Sequence, residues 1–214
     1  MATQTHNILD LMGGITVDYK KVKTPNEQNK IYALLGASNH TNNVRELNDY
    51  YATDPKAVKH LLDLEKFNHN ILEPCCGEGH ISKVLIEAGF NVKSTDLIYR
   101  GFSEGGIDFL TYESWDGDII TNPPYGMAQE FVEHSIKIIP EGNKVAMFLK
   151  LLFLEGQSRK RMFMKSPPIR VYVSSSRLKC YKNGDFSNTL SAICFAWFIW
   201  EKGYKGDTIL KWFN

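Results

Sequence analysis

"HNILEPCCGEGHISKVLIEAGFNVKSTDL", residues 69–97, changes its period twice. Ile71 and Leu72 form a short apolar run that ends on Glu73, and a turn containing Gly77 and Gly79 follows. Ile81, Val84, Leu85 and Ile86 then recur at helical spacing as far as Gly89, and residues 91–96 read as a second strand. Strand, glycine turn, helix and strand make the unit from which parallel sheets are built, because parallel neighbours need a crossover connection.

The same alternation extends in both directions. Upstream, in "YYATDPKAVKHLLDLEKF" (50–67), Thr53 or Asp54 can cap a helix with Pro55 in its first turn and Val58, Leu61, Leu62 and Leu64 on one face. Downstream, "GIDFL" (106–110) reads as a brief strand and "DGDIITN" (116–122) as a better one. The stretch 126–139 is helical, with Phe131, Val132, Ile136 and Ile139 apolar, and "KVAMFLK" (144–150) is a buried strand. A helix over 155–165 precedes strands within 169–175 and 189–200. No convincing helix separates those two strands, so they pair as antiparallel neighbours. The expected fold class is α/β, a mostly parallel sheet with one antiparallel strand. Residues 1–48 lack any sustained period and read as an arm or loose extension.

Composition is that of a soluble globular protein, with 214 residues, 43% hydrophobic and 23% charged. No apolar run reaches a membrane span, and no basic start followed by an apolar stretch marks secretion, so the expected compartment is the cytoplasm. Cys75, Cys76, Cys180 and Cys194 lack zinc-ligand spacing and read as small buried thiols; no metal is expected. The net charge of +1 hides an asymmetry: residues 151–214 carry 11 Lys and Arg against 4 Asp and Glu. A basic C-terminal third points to a polyanionic partner or to a solvated helix face.

Four polar side chains fall at or near the ends of the expected parallel strands: Glu73, Asp96, Asp108 and Asn122. In an open parallel sheet, ligands bind outside the carboxyl ends of the strands, so these four should converge on one crevice. Gly77 and Gly79 allow the chain to pass close to a ligand, but Ser82 stands where a dinucleotide fingerprint would continue with a third glycine. Glu73 would repel pyrophosphate and suits a ligand with positive charge. Asp96 has the position of an acid that accepts from ribose hydroxyls. In "NPPY" (122–125), Pro123 and Pro124 fix their φ angles and remove two main-chain donors. The Asn122 side chain is thereby held as an acceptor, with the flat face of Tyr125 beside it. That is a receptor for a planar molecule with an –NH2 group.

"NPPY" at 122–125, with "EPCCGEG" at 73–79, Asp96 between them and "YYATDP" ahead of both, resembles class I S-adenosylmethionine-dependent methyltransferases. Within that class it is similar to small phage- and prophage-type DNA adenine N6-methyltransferases, over 49–150 well and 151–200 loosely. The resemblance implies a Rossmann-like methyltransferase fold over 49–214. Its features are a mostly parallel seven-stranded sheet, a C-terminal antiparallel strand, helices on both faces and no separate target-recognition domain. It implies that Tyr51 and Thr53 line the methionine end of S-adenosylmethionine, with Glu73, Pro74, Cys76, Gly77 and Gly79 facing its amino group and backbone. Asp96 would hold the ribose, Asp108 the adenine amine, and Leu97 or Phe109 the ring. Asn122 and the carbonyl of Pro123 would hold the target amine, with Tyr125 stacked on the base. The implied reaction is direct methyl transfer to the exocyclic amine of adenine, flipped out of double-stranded DNA. The same motif serves RNA adenine, cytosine N4 or a glutamine amide, and a non-catalytic cofactor- or nucleic-acid-binding module is the remaining alternative. Pro74-Cys75 lies in the glycine loop, away from the target site, which disfavours a cysteine nucleophile for ring-carbon methylation. Arg159, Arg161, Lys165, Arg177, Lys179 and Lys182 are the candidate phosphate contacts, with Tyr181 or Phe186 flanking the base, in a monomer or homodimer.

Overall fold

A computed structural model describes residues 50–176, 178, 180–182 and 193–214. The extension expected over 1–48, Arg177, Lys179 and Phe186 lie outside these residues, as does the side chain of Lys182. In chain order the elements are β1 (Tyr51–Thr53), α1 (Pro55–Leu64), β2 (Asn70–Glu73), α2 (His80–Glu87), β3 (Asn91–Ser94) and β4 (Asp118–Thr121). Then come α3 (Ala128–Ile138), β5 (Lys144–Lys150), α4 (Gln157–Lys165), β6 (Arg170–Ser174), β7 (Cys180–Lys182), β8 (Phe195–Glu201) and β9 (Ile209–Phe213).

The main sheet has seven strands in the order β3-β2-β4-β5-β8-β6-β9. Only β8 runs against its neighbours, pairing antiparallel with β5 from Lys144↔Glu201 to Lys150↔Phe195 and with β6 on its other side. Period-2 side chains divide the sheet's two faces. Leu72, Ile119, Met147 and Phe198 pack under α3 and α4, while Ile71, Ile120, Phe148 and Trp197 pack under α1 and α2. Helices therefore cover both faces, as the class requires. Asp54 caps α1 by accepting from Lys56 N–H (2.9 Å), Pro55 opens it, and Leu61 is fully buried, a burial worth roughly 1.5–3 kcal/mol. The Trp197 indole donates to Ala57 O (2.8 Å) and so fastens α1 to the middle of β8.

Three expectations about elements need correction. Residues 106–110 form no strand: the Asp108 carboxylate accepts from Leu110 N–H (2.9 Å) and caps a 3₁₀ turn, Phe109–Thr111. That local bond competes with extended pairing. The sheet reaches seven strands instead through β9, which pairs parallel with β6 at the opposite edge. Its exposed Ile209, Leu210 and Trp212 carry no alternation that would mark a half-buried strand. The segment between β6 and β8 is also more than a loop, because β7 pairs antiparallel with β1 in a separate ribbon (Tyr51↔Lys182, Thr53↔Cys180). Nor are all the thiols buried: Cys76 is, Cys75 and Cys180 are half-buried, and Cys194 is exposed.

Candidate active site

Adjacent parallel strands β3, β2 and β4 end at one rim, so Asp96, Glu73 and Asn122 stand side by side there. Asn122 follows the fully buried β4, and its side chain is held from three directions. Its amide nitrogen donates to Tyr51 O (3.0 Å) and Thr53 Oγ1 (3.0 Å) and approaches Cys180 Sγ (3.6 Å). A main-chain carbonyl can only accept, so Tyr51 O settles which end of the amide faces β1. Oδ1 must then face the other way. It is buried and has no hydrogen-bond partner among the described residues. Such an orphan costs about 1–3 kcal/mol unless a water, a ligand or a residue beyond those described supplies a donor.

Tyr125 opens the short 3₁₀ turn that leads into α3. Its hydroxyl donates to Cys180 Sγ (3.3 Å), and its ring lies 5.3 Å from Tyr51 and 5.8 Å from Phe195. Burial pushes the Tyr125 hydroxyl well above the usual phenol range and the Cys180 thiol up to about 12, so both are neutral donors and acceptors. The ammonium of Lys150, at the end of β5, sits 4.6 Å from the Tyr125 ring centroid.

The glycine loop is stitched to the end of β3. Gly77 N–H donates to one Asp96 carboxylate oxygen (2.8 Å), Ile98 N–H to the other (2.9 Å), and Cys76 N–H to Thr95 O (3.0 Å). Gly77 and Gly79 have φ of +53° and +80°. Tyr50 packs over Gly77, with the Arg100 guanidinium 4.6 Å above its ring, and Phe102 packs over Gly79. Gly77→Ala should be costly for two reasons. The left-handed conformation alone costs about 1–2 kcal/mol for an L side chain, and its Cβ would fall inside contact distance of the Tyr50 ring. We expect a lowered melting temperature and a weaker calorimetric titration with S-adenosylmethionine; wild-type values for both would remove the steric role.

Glu73 is 1% exposed. It accepts from the Ser82 hydroxyl, which also contacts the Ser94 hydroxyl, and no Lys or Arg pairs with it among the described residues. Burial pushes its carboxyl well above the ordinary range, and the charge of Asp96 adds to the effect. A ligand ammonium would compensate this carboxylate, and the Asp96 oxygens keep lone pairs beyond those used by the loop. The donor set therefore fits S-adenosylmethionine, which carries both an ammonium and ribose hydroxyls.

The other residues expected at the site differ in burial and in contacts. Phe109 is 2% exposed and packs into the core against Phe131 and His134, each at 5.0 Å, whereas Leu97 is 62% exposed. Tyr51 and Thr53 engage Asn122 itself. Burial holds Cys76 at about 12 and Cys75 well above the usual thiol range, so neither is a ready thiolate nucleophile. The guanidinium of Arg159 donates to the carbonyls of Phe153 (2.9 Å) and Glu155 and lies over the Phe153 ring, so it braces the turn after β5. Helix α4 runs from the end of β5 back to the start of β6. Lys165, in its last turn, is thus carried away from the crevice, and Arg161 and Lys165 both line a groove between α3 and α4. Sequence reasoning missed Cys180, Lys150 and Phe195 as neighbours of the motif. Cys180 reaches it only through pairing across 127 positions (Thr53↔Cys180), which no local pattern announces.

The fold is that of class I S-adenosylmethionine-dependent methyltransferases. No protein-family model matches the sequence, and no curated protein matches it. Among solved structures, one from Pyrococcus horikoshii described as an RNA methyltransferase superposes with TM-score 0.54 at 14% identity, over 83% of this chain and 98% of that one. A class I S-adenosylmethionine-dependent methyltransferase from Listeria monocytogenes gives 0.53 at 14% identity, over 86% and 71%. The modification subunit of a type I restriction enzyme from Vibrio vulnificus gives 0.54 at 12% identity, over 78% of this chain but 48% of that one. At these identities the likeness concerns the fold. Among the described residues, no helix is long and apolar enough to cross a membrane, and no cluster of His, Cys, Asp or Glu could hold a metal ion.

Proposed function

We propose that this chain methylates the exocyclic amine of adenine in DNA, using S-adenosylmethionine and a domain spanning 49–214. The observation that carries the reading is Asn122 Oδ1, a buried acceptor with no hydrogen-bond partner among the described residues, in a motif where the Asn122 amide and the Tyr125 hydroxyl both contact Cys180 Sγ. An –NH2 group on a flat base supplies the missing donor. Glu73, Pro74, Cys76, Gly77, Gly79 and Asp96 would hold the cofactor, with Asp108 and Leu97 on its adenine side. When bound, the cofactor supplies an electrophilic methyl group on a sulfonium leaving group.

The protein's contribution is position. The lone pair of an aromatic amine is delocalised into its ring. Acceptors on both amine hydrogens, Asn122 Oδ1 and the carbonyl of Pro123, favour a pyramidal nitrogen whose lone pair points out of the plane. With cofactor and target both bound, that lone pair would be aimed at the methyl carbon, whose bond to sulfur would break with its electron pair left on sulfur, and the nitrogen's proton would pass to water. No covalent enzyme intermediate is needed, consistent with thiols held neutral near the crevice. Unstacking the target costs a few kcal/mol, which stacking on Tyr125 partly offsets.

Base-resolved modification sequencing of DNA from cells expressing the wild type or Asn122→Ala tests this. N6-methyladenine at a recurring short sequence, absent with the variant, is the expected result. No modified adenine, from a protein that still binds S-adenosylmethionine, overturns the DNA reading in favour of RNA, cytosine N4 or a glutamine amide.

A further inference from the structure

Among the described residues, the cation that stands over the Tyr125 ring is none of the basic residues expected to meet nucleic acid. Lys150 is the last residue of β5 and is half-buried, with its ammonium 4.6 Å from the Tyr125 ring centroid. Among the described residues no carboxylate pairs with it. By contrast, Arg159 is tied to main-chain carbonyls and Lys165 lies at the far end of α4. Register holds Lys150 in place: it pairs with Phe195 on β8, whose ring also flanks Tyr125, and Leu151 N–H donates to Cys194 O (2.8 Å). The ammonium is thus carried on a strand end beside an aromatic ring, without a counter-charge among the described residues.

We propose that Lys150 is the positioning residue that meets the phosphodiester of the target nucleotide while its base stacks on Tyr125. This rests on the reading of Tyr125 as the stacking face for the target. A nucleotide whose amine reaches Asn122 Oδ1 brings its own phosphate into the same crevice. A lysine ammonium there supplies an attraction that salt weakens but a neutral side chain lacks altogether. The ring–ammonium contact keeps the side chain at the site before the nucleotide arrives.

The test uses the full chain as wild type, Lys150→Gln and Lys150→Arg, with adenine-unmethylated plasmid DNA and radiolabelled S-adenosylmethionine over a series of KCl concentrations. Lys150→Gln should raise KM for DNA about tenfold, with a smaller change in kcat. It should also reduce the slope of log kcat/KM against log salt by roughly 0.9, the contribution of one phosphate contact. Lys150→Arg should restore both, and affinity for S-adenosylmethionine should be the same in all three. Wild-type KM and salt slope in Lys150→Gln overturn the proposal and leave the methyltransferase reading standing, as does equal loss in the Gln and Arg variants, which marks a packing role. Failure of the wild type to methylate DNA adenine sinks the parent reading, and with it this one.

Discussion

Asn122→Ala should lower the single-turnover rate of methyl transfer by about 10²–10³-fold, the usual cost of removing one preorganised polar partner of a reacting group. Alanine also removes the amide's hydrogen bonds to Tyr51 O and Thr53 Oγ1, so stability should fall as well, by about 0.5–1.5 kcal/mol for each bond lost. Asn122→Asp is the sharper experiment. It keeps the shape and the acceptor, but it places a carboxylate oxygen 3.0 Å from Tyr51 O, where the native amide donates. Two acceptors facing each other without a hydrogen repel, so the side chain should rotate and the rate should fall as far as in the alanine variant. Quenched-flow transfer to DNA, with cofactor affinity measured alongside, reads both effects. An aspartate variant at wild-type rate would show that the Tyr51 anchor is dispensable; an alanine variant within tenfold of wild type would show that Oδ1 is not the acceptor.

The largest stability effect is expected far from the crevice. Glu65 follows α1 and is 6% exposed. Its carboxylate accepts from Lys144 Nζ (2.9 Å), from both Arg170 Nε and Nη2 (the latter at 2.9 Å), and from the Tyr172 hydroxyl (2.7 Å). It therefore joins the starts of β5 and β6 to the end of α1. Glu65→Ala leaves two partly buried cations without a counter-ion and should cost about 3–5 kcal/mol, with a melting temperature lower by roughly 2–4 °C per kcal/mol for a chain of this size. Burial alone would raise the Glu65 carboxyl, but hydrogen bonds from Arg170, Tyr172 and Lys144 outweigh it and hold the group below its ordinary value. A carboxyl depressed in the folded state stabilises fully above its unfolded value, near about 4.3, and the contribution is lost as pH falls through the folded value. The gap between wild-type and Glu65→Ala melting temperatures should accordingly be wide at pH 7 and shrink as pH falls below the unfolded value through the lower folded one. A gap that does not change with pH would mean that packing, rather than charge, carries the effect.

Both residues show where local pattern is informative and where it stops. Glu73 and Asn122 were legible because each ends an apolar run, and a parallel sheet must gather its strand ends at one rim. The helix over 55–64 was legible from Asp54, Pro55 and a spaced apolar face, and the antiparallel strand from two consecutive strands with no helix between them. Residues 106–110 misled because "GIDFL" has strand composition, while a single carboxylate–amide bond at Asp108 closes a turn instead. Strand β9 was invisible because an edge strand exposed on both faces needs no alternation.

Period and turn chemistry are local properties, so the sequence by itself determined the α/β alternation, the two helical layers and the loop that displays Asn122 between buried strand and proline. Which way the Asn122 amide points was decided only by tertiary structure. That orientation needs the Tyr51 carbonyl and the Thr53 hydroxyl from β1, steadied by Cys180 on a strand 127 residues further along. The same holds for Lys150 and Glu65. A hydrogen bond or a cation over a ring depends on distances of a few ångströms between segments far apart in the chain, and only the packing of the sheet sets those distances.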